Sequence, residues 1–327
     1  MNNTSAFLAL LYEVGVAGRR QASLLLNQLN KKGYQPDEPT TLRMKKGIAI
    51  AAVTNLWFST LRAFPLSENE RHCGILLGAV TPVYDDLMDD YGYTHAEIMG
   101  GIYNGNPESS KLISLASYLI PESFAHIIQK EAYEHYFQLT VSGQAQSSRQ
   151  LTGEKLSEAQ LEEVMGQKGG NATLLYRHLL ANPMIEGEEK AIFLLGKLMQ
   201  FINDLFDTRS DFLAGNLTLP TYYPTPEPLR AMFDSLVSDT MRAFLSLSYK
   251  PKHIRGMLRL IMPVVARGQV CLLQFEQLYR SQGHFRLAEF SRQQLVCDME
   301  KASNLWANYR EADKLFRFQL RKLERMV

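Results

Sequence analysis

Apolar side chains recur at three- and four-residue steps along nearly the whole chain, and this spacing most limits the folds open to it. Residues 188–206 show the pattern well, with Ile192, Leu195, Met199 and Ile202 on one helical face. Alternating Val/Ile/Thr runs joined by Asn-Gly turns, the signature of hairpins, do not occur. The expected fold class is therefore all-α, with ten or more helices and essentially no sheet. Ser157 followed by Gln160 reads as the capping box that opens one helix, and Pro121-Glu122 as the first turn of another. Breaks are expected at Gly100-Gly101 with 104–107, at 147–153, and at the proline-rich 215–228. None is long or polar enough to link domains, so a single all-helical domain over 1–327 is expected.

Composition narrows the function classes. Hydrophobic residues make up 46% and charged residues 21%, enough apolar material for a large core. The net charge is +1, so no global field draws nucleic acid or an anionic membrane, and any charge-based function must be local. Cys73, Cys271 and Cys297, with no Cys-x-x-Cys, exclude a disulfide scaffold and a zinc ribbon. The seven histidines show no His-x3-His spacing, and the sequence reading assigns none to a metal; His178 beside Arg177 reads as polar packing. The apolar stretch at 6–12 lacks the basic residues of a signal peptide. The stretch 47–60, read as the longest apolar one, contains Asn55 and falls short of the ~20 residues a bilayer span needs. A cytoplasmic protein with no membrane span is expected.

Two acidic segments carry the chemistry. In the first, Tyr84-Asp85-Asp86-Leu87-Met88-Asp89-Asp90, Asp85 and Asp89 share one helical face directly after the apolar run 74–83. Like charges four apart cost a few tenths of a kcal/mol on an exposed helix, and about 4 kcal/mol per close pair at intermediate dielectric. Divalent cations relieve that repulsion, and magnesium takes one or two carboxylates with its remaining ligands from water and phosphate. Taken alone, the segment also fits a solvated acidic helix end. In the second segment Asn203, Asp207 and Asp211 stand at i, i+4 and i+8, again after an apolar run, and offer hard oxygen ligands. Two oxygen-rich faces ending apolar helices point to a greasy cavity with cations at its mouth, a match for a chain with a diphosphate head.

With these residues in hand, the chain resembles the class I isoprenoid synthase superfamily: polyprenyl diphosphate synthases, terpene synthases and squalene/phytoene synthases. Asp85, Asp86 and Asp89 resemble the family's Asp-Asp-x-x-Asp. Gly196-x3-Gln200-x2-Asn203-Asp204-x2-Asp207 resembles the prenyl synthase second motif, and Asn203-Asp204-x2-Asp207-x3-Asp211 the terpene synthase one. Lys168-Gly169-Gly170 resembles a Lys-Thr-Gly whose lysine contacts diphosphate. Gly143-Gln144 and Gly215-Asn216-Leu217-Thr218-Leu219-Pro220 resemble two further family motifs. The likeness covers residues 43–220, about half the chain. It implies a helical bundle around a deep apolar cavity, about three Mg²⁺, and a prenyl diphosphate substrate, with a homodimer favoured.

The resemblance implies metal ligands at Asp85, Asp86, Asp89, Asn203, Asp207 and Asp211. It implies diphosphate contacts from Lys168 and Arg177, and a closing Tyr309-Arg310 pair that otherwise reads as a solvated helix face. Tyr84, Phe201 and Phe206 are candidate cation-stabilising rings or ordinary core. Val80 and Thr81 stand where prenyl synthases set chain length, and Pro82 is expected to kink the helix. The chain departs from elongating prenyl synthases in three places. Residues 42–47 are basic but lack the family's Gly-Gly-Lys-x-x-Arg-Pro, no arginine pair follows Asp90, and Asn216 replaces a lysine. These departures rank a terpene synthase acting on one substrate first. A condensing prenyltransferase, elongating or head-to-head, comes second and a non-catalytic binding partner last.

Overall fold

The computed structural model describes residues 2–89, 91–104, 111–151, 153–299 and 301–324. Helices dominate them and no strand occurs among them. The chain begins with α1 (Asn3–Tyr12), a π turn over Glu13–Ala17, α2 (Gly18–Lys31) and α3 (Glu38–Arg62). It continues through α4 (Glu68–Asp89), α5 (His95–Asn104), α6 (Lys111–Ala125), α7 (Lys130–Ser147) and α8 (Glu158–His178). The last part comprises α9 (Glu188–Ala214), the short α10 (Leu219–Tyr222), α11 (Glu227–Leu245), α12 (Pro251–Gln282), the single turn α13 (Arg292–Leu295) and α14 (Ala302–Glu324). These helices form two compact units. One holds Leu8–Val141 with Leu175–Pro183, the other Met1–Phe7, Ser142–Leu174 and Met184–Val327.

In the first unit the two apolar runs read from sequence pack on each other as α3 and α4. Their crossing is a backbone contact: a Cβ on Gly78 would lie 2.6 Å from the Gly47 carbonyl oxygen. Asn55, the polar residue of the first run, is buried with its amide over Gly74. Pro82 sits inside α4 and deprives the Gly78 carbonyl of its helical donor. That carbonyl lies against Gly47, where no side chain stands in the way. At the start of α4, buried Arg62 grips buried Glu70 through two bonds of 2.6 and 2.8 Å. Glu70 also accepts from the Ser67 and Ala181 backbone amides at 2.8 and 2.9 Å.

In the second unit, α9, α11, α12 and α14 form the core. Gly268 of α12 leaves room for Ile202 of α9 and Phe233 of α11, which a Cβ would meet at 2.8 and 3.0 Å. α12 is long and apolar enough, by length and composition, to cross a membrane, whereas the sequence reading took 47–60 as the longest apolar stretch. Most of its apolar window is buried against the neighbouring helices, the pattern of a core helix.

Two local expectations differ from the structure. Gly100 and Gly101 lie within α5, while 105–107 fall outside the described residues. Pro121 stands inside α6 rather than opening a helix. Burial of Ile113, Leu115, Ala116, Leu119 and Ile120 carries α6 past the proline, so packing outweighs local preference. The Ser157 capping box is present: Gln160 Oε1 accepts from Ser157 N at 2.9 Å, and Gln160 N donates to Ser157 Oγ at 3.4 Å.

Two predictions follow from this packing. Helix propensity alone would make Gly196→Ala stabilising by ~1 kcal/mol. The new methyl instead meets the Gly169 carbonyl of α8 and, at 2.6 Å, Thr173 Oγ1, so a net loss of about 1–3 kcal/mol is expected in urea unfolding. A gain would contradict the close crossing. Burial raises the Glu70 pKa, but the bonds from Arg62, Ser67 and Ala181 outweigh it and hold the group at about 2. Its stabilisation is present above pH 4.5 and lost as pH falls toward 2, so Glu70→Gln is expected to flatten that acid limb of the unfolding profile.

Candidate functional site

The acidic end of α9 is built by amphipathicity. Ile192, Leu195, Leu198, Ile202 and Leu205 are buried, while Asn203, Asp207 and Asp211 follow one another along another face. Asn203 Nδ2 donates to Asp207 Oδ2 at 2.9 Å, and Gln200 Nε2 to Asp204 Oδ1 at 2.8 Å. Gly215 ends the helix in the left-handed region, φ 72°, returning its N–H to the Asp211 and Phe212 carbonyls. The chain then folds back on the last carboxylate. Asn216 Nδ2 donates to Asp211 Oδ1 at 3.0 Å, and Thr218 Oγ1 to Asp211 Oδ2 at 3.3 Å.

α8 supplies the cation. Gly169 packs directly on the Gly196 carbonyl, and a Cβ there would stand 2.5 Å from Gln200 Cβ. On the other side of α8, Gly143 of α7 approaches so closely that a Cβ would meet the Gln167 carbonyl oxygen at 2.9 Å. Glycines from three of the family-like motifs thus seat α8 between two neighbours. Lys168, between Gln167 and Gly169, is half-buried and its charge acts on Asp204, Asp207 and Asp211 together.

The three carboxyls are strained as anions. Burial first, then the Asp211 and Asp207 charges, push Asp204 up to about 7, against the Gln200 hydrogen bond and Lys168. Loss of hydration also raises Asp207 and Asp211, more than Lys168 and their amide donors lower them. A set of hard oxygens whose negative charge is only partly compensated suits a divalent cation. Sequence reasoning assigned no role to Asp204. The signal that could have exposed it is its i, i+4 pairing with Gln200.

The first acidic motif lies at the end of α4. Asp86 is buried, and Arg43 of α3 forms an ion pair with its Oδ1 at 2.5 Å. The basic segment at 42–47 thus spends Arg43 on this carboxylate. Asp85 is half-buried, and its charge, after burial, helps raise the phenols of Tyr84 and Tyr176, the latter to about 12. Asp89 is the last residue of α4; its side chain, and Asp90, lie outside the described residues.

The remaining candidates make the following contacts. Arg177 is fully buried and donates to the Asn182 and Pro183 carbonyls at 2.9 and 3.3 Å, holding the turn after α8. His178 stacks on Tyr136 with ring centres 4.8 Å apart. Tyr309 shares a 2.8 Å hydrogen bond with Thr4 and stacks on Trp306. Arg310 is exposed, 3.7 Å from Glu311, while Lys314 and Arg317 pair with Glu311 and Asp313 along the same helix. Phe201 is core, Phe206 lies under Arg267 at 5.4 Å, and Tyr84 hydrogen-bonds His95. Val80 is buried and Thr81 Oγ1 donates to the Leu77 carbonyl at 2.8 Å.

No protein-family model and no curated protein matches the chain. A crystal structure of a geranyltransferase from Legionella pneumophila superposes on it with a TM-score of 0.55. The match covers 82% of this chain and 99% of that one at 14% sequence identity. The chain has the isoprenoid-synthase fold. At that identity the likeness is one of fold, so the isoprenoid-synthase motifs are weighed on their own geometry.

The raised carboxyl of Asp204 has a measurable consequence. Its folded pKa, about 7, exceeds the ordinary 3.8, so the folded state holds the proton more tightly than the unfolded one. The stabilisation is complete below pH 3.8 and lost as pH rises to about 7. Urea unfolding of chelator-treated protein is expected to show that decline, and Asp204→Asn to remove it. An unchanged profile in the variant would contradict the assignment.

Proposed function

We propose that the protein is a magnesium-dependent enzyme acting on allylic prenyl diphosphates, in the prenyltransferase class. One observation carries the reading: Lys168 lies beside the charge-strained carboxyls of α9, in a chain whose fold matches that of a geranyltransferase. Sequence alone ranked a single-substrate terpene synthase first, and the fold likeness favours its runner-up.

The donor chemistry fits magnesium. Asn203, Asp207 and Asp211 offer hard oxygens, desolvation raises Asp207, desolvation and the Asp207 charge raise Asp211, and a cation reverses both rises. Asp85 and Asp89 serve as the ligands of the first motif. Asp86 is left out because it is committed to Arg43, and Arg177 because it is committed to the turn after α8. Bound magnesium supplies charge neutralisation of the departing diphosphate. Lys168 donates charge-assisted hydrogen bonds to diphosphate oxygens. Asp204, buried and bonded to Gln200, holds Lys168 toward the acidic face by its partial charge and takes no ligand itself.

A second reading, ionisation of one prenyl diphosphate by a terpene synthase, is favoured by one feature. Asn216, in place of the prenyl synthase lysine, spends its amide on Asp211 and brings no cation for a second diphosphate.

Incubation with dimethylallyl, geranyl or farnesyl diphosphate, labelled isopentenyl diphosphate and Mg²⁺ tests both. A longer labelled product is expected. Unlabelled hydrocarbon or alcohol with pyrophosphate selects the second reading, and no turnover of any allylic diphosphate refutes both. Asp85→Ala, Asp207→Ala and Lys168→Ala are each expected to lower kcat by about 100-fold or more with unchanged far-UV dichroism.

A further inference from the structure

We propose that His72, Glu122 and His126 form a site for a borderline-soft divalent metal ion such as zinc, clamping α4 to α6. Glu122 and His126 stand at i, i+4 where α6 ends, and His72 comes from the start of α4, which packs on α6. One ligand atom of each lies within 4.8 Å of the other two. His126 Nε2 and Glu122 Oε1 are 3.3 Å apart, and the two imidazole rings meet edge to face at 5.2 Å. Zinc bonds of ~2.0–2.1 Å in a tetrahedron separate ligand atoms by about 3.4 Å. The Glu122–His126 pair already has that spacing, and rotation of the His72 side chain supplies the rest.

The donor set decides the metal. Two imidazoles and one carboxylate suit zinc, cobalt or nickel, whereas magnesium and calcium prefer all-oxygen sites. Three protein ligands leave the fourth position to water. The surroundings hold the ligands in place. Asn69, one turn before His72, donates its amide to the His126 carbonyl at 2.6 Å. His72 and Glu122 are half-buried and His126 is exposed, so a metal ion enters from solvent and finds two ligands already restrained by packing. Thirteen helical residues, about 20 Å at 1.5 Å per residue, separate His72 from Asp85 on α4, so this site is distinct from the acidic motif. It therefore stands whether or not the proposed activity does.

Untagged protein stripped with chelator and then titrated with Zn²⁺ by calorimetry, and with Co²⁺ by visible absorption, tests the proposal in an excess of Mg²⁺. One equivalent of either ion is expected to bind, with the intense visible band of four-coordinate cobalt. His72→Ala and the exposed-site variant His126→Ala are expected to weaken binding by at least ~10-fold. Asp207→Ala is expected to bind as wild type does, which separates this site from the acidic helix end. At about a hundredfold excess over its Kd, zinc is expected to raise the unfolding midpoint of wild type by several degrees and to leave His126→Ala unmoved. Equal affinity in wild type and a variant carrying both His72→Ala and His126→Ala, or no binding of either ion near ~0.1 mM, overturns the proposal.

Discussion

Where Gly169 of α8 meets Gly196 of α9, two helix backbones touch with no side chain between them. The candidate chemistry depends on that crossing. It sets Lys168 within electrostatic reach of Asp204, Asp207 and Asp211, and Gly143 of α7 braces α8 from its other side. The same device recurs between Gly47 and Gly78, where α3 approaches α4 closely enough for Arg43 to reach Asp86. Glycine in a helix costs about 1 kcal/mol of propensity. Here it removes the Cβ that would hold the helices apart.

The acidic end of α9 is a place where folding and chemistry pull in opposite directions. Burial raises all three of its carboxyls, repulsion between them adds to the rise at Asp204 and Asp211, and one lysine with three amide donors only partly offsets this. A chain selected for stability alone has an easier solution, apolar residues or amides at those positions. Strain of this kind is relieved by a divalent cation, which is the support it lends to the proposed magnesium site. Arg310, Lys314 and Arg317 on the exposed face of α14 contrast with it, since they pair with acidic residues of their own helix and carry little energy.

Much of the fold was legible because helical periodicity is a local property. The capping box at Ser157, the amphipathic face of α9 and its glycine stop at Gly215 all follow from residues within a few positions of one another. Local rules also misled. The pair Gly100-Gly101 lies inside α5, and Pro121 sits inside α6, where burial of that helix's apolar residues outweighs the preference of one residue. The acidic spacing marked Asn203, Asp207 and Asp211 correctly as one face. It could not distinguish Asp86, tied to an arginine far earlier in the chain, from its neighbour Asp85. Nor could it foresee that the guanidinium of Arg177, expected at the diphosphate, bonds the carbonyls of the turn after α8.

By itself, then, the order of residues determined the helical class, the acidic faces and the glycines that allow helices to approach, since each arises from spacing along a single helix. Only the tertiary structure decided which charges meet. It joined Arg43 to Asp86 and Lys168 to the end of α9, and brought His72 beside Glu122 and His126. The physical reason is range. Hydrogen bonding within a helix spans four residues, while ion pairs and metal ligation depend on distances between helices that packing alone sets.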